Sequence, residues 1–133
     1  MAGNAQVLDV TYEAGEDLSS SQYRVVVQGD SDNTCKLPGA AGEGKVLGIL
    51  QNDPESGEAA RVRKLGISTV EADNTAAGLG GNRGDAIEIA AATGTVRKYT
   101  GASDNCCVGY AEEDFAKGDK FRMFINIIDL TVL

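Results

Sequence analysis

Apolar and polar residues alternate along this chain in short runs, each cut by turn chemistry. Tyr23–Gln28 is rich in β-branched residues and breaks at Gly29-Asp30-Ser31-Asp32-Asn33. Lys45–Leu50 follows the glycine-rich stretch Gly39–Gly44. Ala60–Leu65 sets Ala60, Val62 and Lys64 on one face against Arg61, Arg63 and Leu65 on the other, and Ile67–Val70 continues beyond Gly66. Ala86–Ala90, Val96–Thr100, Cys107–Ala111 and Lys120–Ile128 complete the set. A period of two in several short runs, roughly 8–12 residues apart with glycine turns between, predicts an all-β fold, a small β-barrel or β-sandwich with Gly-rich loops. Ala86–Thr93 also admits a helix, because alanine favours helices over strands. Asn74–Asp85 reads as a loop or a short helical turn.

Residues 1–20 stand apart. Val7, Leu8, Val10 and Tyr12 form an apolar cluster, and Glu13–Ser21 is polar and turn-rich. The stretch is either an N-terminal arm ahead of a single β domain at 21–133 or that domain's first strand; the pattern leaves both open. As an arm, its four apolar residues need a cover, so Val7, Leu8, Val10 and Tyr12 are candidate partner-binding residues, most simply through strand addition.

The chain also echoes itself. Leu47-Gly48 returns as Val108-Gly109, 61 residues on, and the same offset pairs Asp53 with Asp114, Gly57 with Gly118, Glu58 with Asp119 and Arg61 with Arg122. This predicts two similar β-hairpins around acidic turns.

Composition narrows the function. At 133 residues the chain suits one domain. Its 17 glycines are about twice the usual share, and 42% hydrophobic content with no Trp implies a core of Val, Ile, Leu and Ala rather than a disordered tail. A net charge of −8 without a basic stripe argues against nucleic acid as a partner. The apolar run Phe124–Leu133 is interrupted by Asn126 and Asp129, so no membrane span is expected, and the opening Met-Ala-Gly-Asn-Ala-Gln does not read as a signal peptide. With no histidine at all, Ser-His-Asp and Cys-His catalysis and His-ligated zinc fall away together. Cys35, Cys106 and Cys107 lack any disulfide or C-x-x-C spacing and read as reduced, small hydrophobic residues; in a strand the vicinal pair faces opposite ways.

The remaining motifs favour turns. Asp30-x-Asp32-x-Thr34 opens like an EF-hand loop, but Cys35 replaces the required glycine and Ala41 the closing glutamate. Gly78–Gly84 matches neither dinucleotide nor phosphate-loop spacing. Arg83-Gly84-Asp85 reads as a turn opening the next strand. Glu112-Glu113-Asp114 and Asp53-Pro54-Glu55 are the carboxylates an enzyme would need, yet both fall in predicted loops. Ser19–Ser21 has no lysine at a supporting spacing. The expectation is no catalytic residue, no metal and no cofactor.

The run Val46-Leu-Gly-Ile-Leu-Gln-Asn-Asp-Pro-Glu-Ser-Gly-Glu-Ala-Ala-Arg-Val-Arg-Lys-Leu-Gly-Ile-Ser68 resembles a signature of tailed-bacteriophage capsid decoration, or cement, proteins. Gly84-Asp85, Thr93-Gly94-Thr95-Val96, Cys107-Val-Gly-Tyr-Ala and Lys117-Gly-Asp-Lys-Phe-Arg resemble its later positions, so the likeness covers roughly Tyr23 to Ile128. Residues 74–84 and the vicinal cysteines depart from that pattern. The resemblance implies a small β-barrel or sandwich, commonly homotrimeric, made in the cytoplasm of a bacterial host and bound to the major capsid protein on the outer surface of the virion, where it stabilises contacts between capsomers. Two alternatives stand beside it: a small β-barrel enzyme or ligand-binding module using carboxylates, and another virion component such as a head-fibre or tail part.

Overall fold

The structure is a computed structural model that describes residues 6–75, 80–101 and 106–129. Among the described residues nine strands follow in chain order: β1 (Leu8–Ala14), β2 (Val25–Gln28), β3 (Thr34–Lys36), β4 (Val46–Leu50), β5 (Ala59–Glu71), β6 (Ala86–Ile89), β7 (Val96–Lys98), β8 (Cys106–Ala111) and β9 (Lys120–Asp129). Their order across the sheet is β1-β3-β2-β4-β5-β9-β8-β6-β7, and β1 also pairs with β5. That last pairing closes the first five strands into a barrel.

β5 is the hinge of the design. Its first half pairs antiparallel with β1, from Leu8 opposite Leu65 to Glu13 opposite Ala59. Its second half leaves β1 for β9, from Gly66 opposite Ile125 to Glu71 opposite Lys120. The change of partner falls at Gly66, whose φ of 101° suits glycine and where a Cβ would meet the backbone of Gln6 and Val7. The two runs that the sequence separates at Gly66 are therefore one bent strand. Within residues 1–20, Leu8–Ala14 is β1, paired over most of its length with β5.

The short echo in the sequence is the visible part of a larger repeat. Gln51 N–H donates to Arg61 O at 2.8 Å, and 61 residues on Glu112 N–H donates to Arg122 O at 2.9 Å. Tyr23 N–H donates to Leu50 O and Leu50 N–H to Arg24 O; Gly84 N–H donates to Ala111 O and Ala111 N–H to Asp85 O. Glu55 N–H is capped by the Glu58 carboxylate at 2.7 Å, and Ala116 N–H by that of Asp119 at 2.9 Å. The parallel contact of β1 with β3, Ala14 opposite Cys35, returns as a bridge between Ala72 and Val96. The chain is thus two five-stranded rings of one topology. β1, β3, β2, β4 and the first half of β5 make one; the second half of β5 with β7, β6, β8 and β9 makes the other.

Each ring has its own core. Ala14, Leu18, Val26, Cys35, Leu47, Leu50, Ala60 and Val62 fill the first. Ala72, Ile87, Val96, Val108, Ala111, Phe121 and Met123 hold corresponding places in the second, where Phe115 stacks on Phe121 at 4.0 Å between ring centroids. Val25 and Ile49 also belong to the second core. β2 and β4 therefore form a wall with Val26, Leu47 and Leu50 on one side and Val25 and Ile49 on the other. That double burial explains why both strands read as continuous apolar runs rather than alternating ones. Ala86–Ile89 is a strand and not the helix that its alanines also admit, because it pairs with both β7 and β8. Tertiary pairing overrides the local propensity.

Candidate functional site

The acidic clusters that the sequence offers for catalysis lie in loops between strands. Asp114 accepts the Arg83 N–H at 2.8 Å, and Glu113 accepts the Arg122 N–H at 2.8 Å. Asp53, Glu55 and Glu58 are exposed around the β4–β5 turn. Asp17 accepts the Ser19 N–H, and Ser21 is buried. Asp30 pairs with Lys36 at 3.0 Å, while the Thr34 hydroxyl donates to Ser31 O at 2.6 Å, so the EF-hand-like stretch is the β2–β3 turn. No group of three metal-ligating side chains gathers among the described residues. Gly78 and Leu79 lie outside the described residues. Gly81 exchanges backbone hydrogen bonds with Phe115, which ties the end of that glycine-rich run to the second ring.

Asp9 on β1 meets Arg63 on β5 through two oxygens, at 2.9 and 3.2 Å. The Arg63 hydrogen bond holds its carboxyl below the usual carboxylate value; burial opposes this, and the charges of Arg63 and Arg61 assist it. Asp73 is buried, which would raise its carboxyl, yet hydrogen bonds from Thr75 and Thr95 outweigh burial and bring it down. Glu88 is fully buried and meets the Arg97 guanidinium at 2.6 Å. All three cysteines are buried. Burial, with a smaller contribution from the Glu16 charge, pushes the Cys35 thiol up to about 11, which makes it a poor nucleophile. Cys106 points into the second core and Cys107 lies outside both cores, opposite Ile128.

What remains is surface. Among the described residues five large hydrophobic ones are exposed, Val7, Leu8, Leu65, Phe124 and Ile128, each between 42% and 57%. Leu8 pairs with Leu65, Val7 lies against Gly66, and Phe124 pairs with Ile67, so they gather where β5 passes from one ring to the next and along the outside of β9. Of the four apolar residues singled out near the N-terminus, Val7 and Leu8 are exposed and Val10 and Tyr12 half-buried. Tyr12 packs against the first core and its hydroxyl accepts from Lys64 at 2.8 Å. Leu65, Phe124 and Ile128 were not singled out, since in an alternating strand nothing marks which apolar position faces water.

The edge of β1 is the other open feature. Ala14 N–H donates to Glu58 O, and Glu13 N–H points the other way, to Asn33 O at 2.8 Å. By alternation Asp9 and Thr11 turn their backbone groups to the same side as Glu13. β3 pairs with β1 only at Glu13 and Ala14, so no strand among the described residues lies beside Asp9 and Thr11 on that edge.

No protein-family model matches the chain, and no curated protein does. Among solved structures it is similar to the head fiber gp8.5 N base in bacteriophage phi29, with a TM-score of 0.65 and 19% identity over 91% of this chain and 95% of that one. At that identity the likeness is one of fold, and it extends over nearly the whole of both chains.

Proposed function

We propose that this chain is a structural protein of a tailed-bacteriophage virion, a decoration protein that binds the outer surface of the head through the major capsid protein and stabilises contacts between capsomers as a homotrimer. The observation that carries the reading is the fold: along nearly its whole length it is similar to a head-fibre base of phage phi29, and the resemblance of Val46–Ser68 to a decoration-protein signature is a separate observation from the sequence. The role is non-catalytic, in keeping with carboxylates placed in loops and thiols that are buried. A second reading, the base of a head fibre, is favoured by the same structural likeness. Heating separates the two. Expanded shells mixed with the purified chain should withstand a higher temperature before releasing DNA or collapsing if it is a decoration protein. A fibre base would bind without changing that temperature, and failure to bind would remove both readings.

A further inference from the structure

The repeat shows how this fold covers the edge of a ring's first strand. In the second ring that strand is the second half of β5, and the first ring covers it. Glu71 N–H donates to Tyr23 O at 3.0 Å and Val25 N–H to Gly94 O at 2.9 Å, so Tyr23–Val25 lies between β5 and the turn before β7. Arg63 reaches across to Ile67 O at 3.0 Å, and Arg24 pairs with Glu71 at 3.1 Å. Val25 and Ile49 of the first ring enter the second core.

The first ring offers the same acceptor without an occupant among the described residues. Its equivalents of Ile67, Glu71 and Gly94 are Asp9, Glu13 and Asn33, and there Glu13 N–H closes directly onto Asn33 O. The second ring repeats the donor: Gly84, Asp85 and Ala86 stand where Tyr23, Arg24 and Val25 stand in the first, and Gly84 shares the positive φ of Tyr23, 92° against 67°. Four of the exposed hydrophobic residues hold the places of residues at the junction of the two rings: Val7 and Leu8 those of Leu65 and Gly66, and Phe124 and Ile128 those of Arg63 and Ile67. A repeat that stops after two units leaves its first acceptor edge and its last donor segment unmatched.

We propose that the outward edge of β1 takes the second ring of another copy of this chain, so that copies join head to tail through the contact that joins the two rings within one chain. The contact is heterologous, and it closes into a ring of subunits where the rotation permits. Gly84–Ala86 of one copy enters between Glu13 and the Asp30–Asn33 turn of the next, exchanging the Glu13–Asn33 bond for one bond on each side. Asp85 replaces the cation of Arg24, and its neighbour Lys98, 3.8 Å away, supplies the positive charge opposite Glu13. The inference rests on the self-association in the reading above and not on where in the virion the chain sits.

A head-to-tail contact has a signature that a two-fold contact lacks, and sedimentation velocity reads it. Glu13→Pro blocks the acceptor by removing the N–H that the contact takes; Leu8→Lys serves the same end should the proline variant not fold. Phe124→Lys blocks the donor. Wild-type chain should assemble as concentration rises, each variant should remain at 13.8 kDa, and an equimolar mixture of one acceptor and one donor variant should form a dimer and nothing larger. A wild-type chain that stays monomeric at millimolar concentration overturns the proposal, as does assembly that survives either variant. A mixture of two folded variants that stays monomeric overturns it too, because it would mean a two-fold interface. Capsid binding by a monomeric chain would remove this inference and leave the virion reading standing.

Discussion

Gly48 and Gly109 hold the same place in the two rings, and neither has room for a side chain. A Cβ on Gly48 would run into the carbonyl of Arg63, and one on Gly109 into that of Phe124, its equivalent 61 residues later. Gly48→Ala and Gly109→Ala should each cost at least about 2 kcal/mol in urea unfolding, since the obstacle is backbone that cannot turn away. Gly57, by contrast, has open space around its Cβ position. Asp9 carries a different prediction. Its folded carboxyl lies below its ordinary value, so the stabilisation is complete above the ordinary carboxylate range and is lost as pH falls through the lower, folded value. Asp9→Asn should lower stability at neutral pH by about 1 kcal/mol and flatten the loss of stability below about pH 4, which acid titration followed by circular dichroism checks.

At the scale of elements, the wall of β2 and β4 ties the two rings together. Val26 faces the first core and Ile49 the second, and both are fully buried. Val26→Ala and Ile49→Ala should each cost about 1–4 kcal/mol in thermal unfolding. Because the wall is shared, each should shift a single cooperative transition rather than melt one ring alone. Most strands were legible in the sequence, since an apolar run between glycine turns is a strong signal in an all-β chain. β3 was not, because three residues beside an Asp/Asn turn carry no periodicity. β5 was read as two strands, because glycine usually ends a run and here bends it. β1 stood undecided, as nothing in a terminal apolar cluster says whether its partner lies in the same chain.

At the scale of the whole molecule, the duplication was only partly legible. Glycines and turn acids recur because backbone geometry demands them, whereas core positions recur in kind and not in identity: Val62 answers to Met123 and Ala60 to Phe121. A pattern of identities therefore finds two hairpins where the backbone makes two rings. The candidate surface was legible at its N-terminal end and hidden at β9, where Phe124 and Ile128 alternate with buried residues like any other strand pair. Among the described residues the chain offers an open strand edge at β1 and a set of exposed apolar side chains. The function we propose is one of contact, with the shell of a phage head. The direct measurement is co-sedimentation of the purified chain with expanded, undecorated phage capsids, with bound protein counted against major capsid protein. The account predicts saturable binding at a fixed ratio, together with added density on the outer surface of the shell; a chain left entirely in the supernatant at saturating concentration would contradict it.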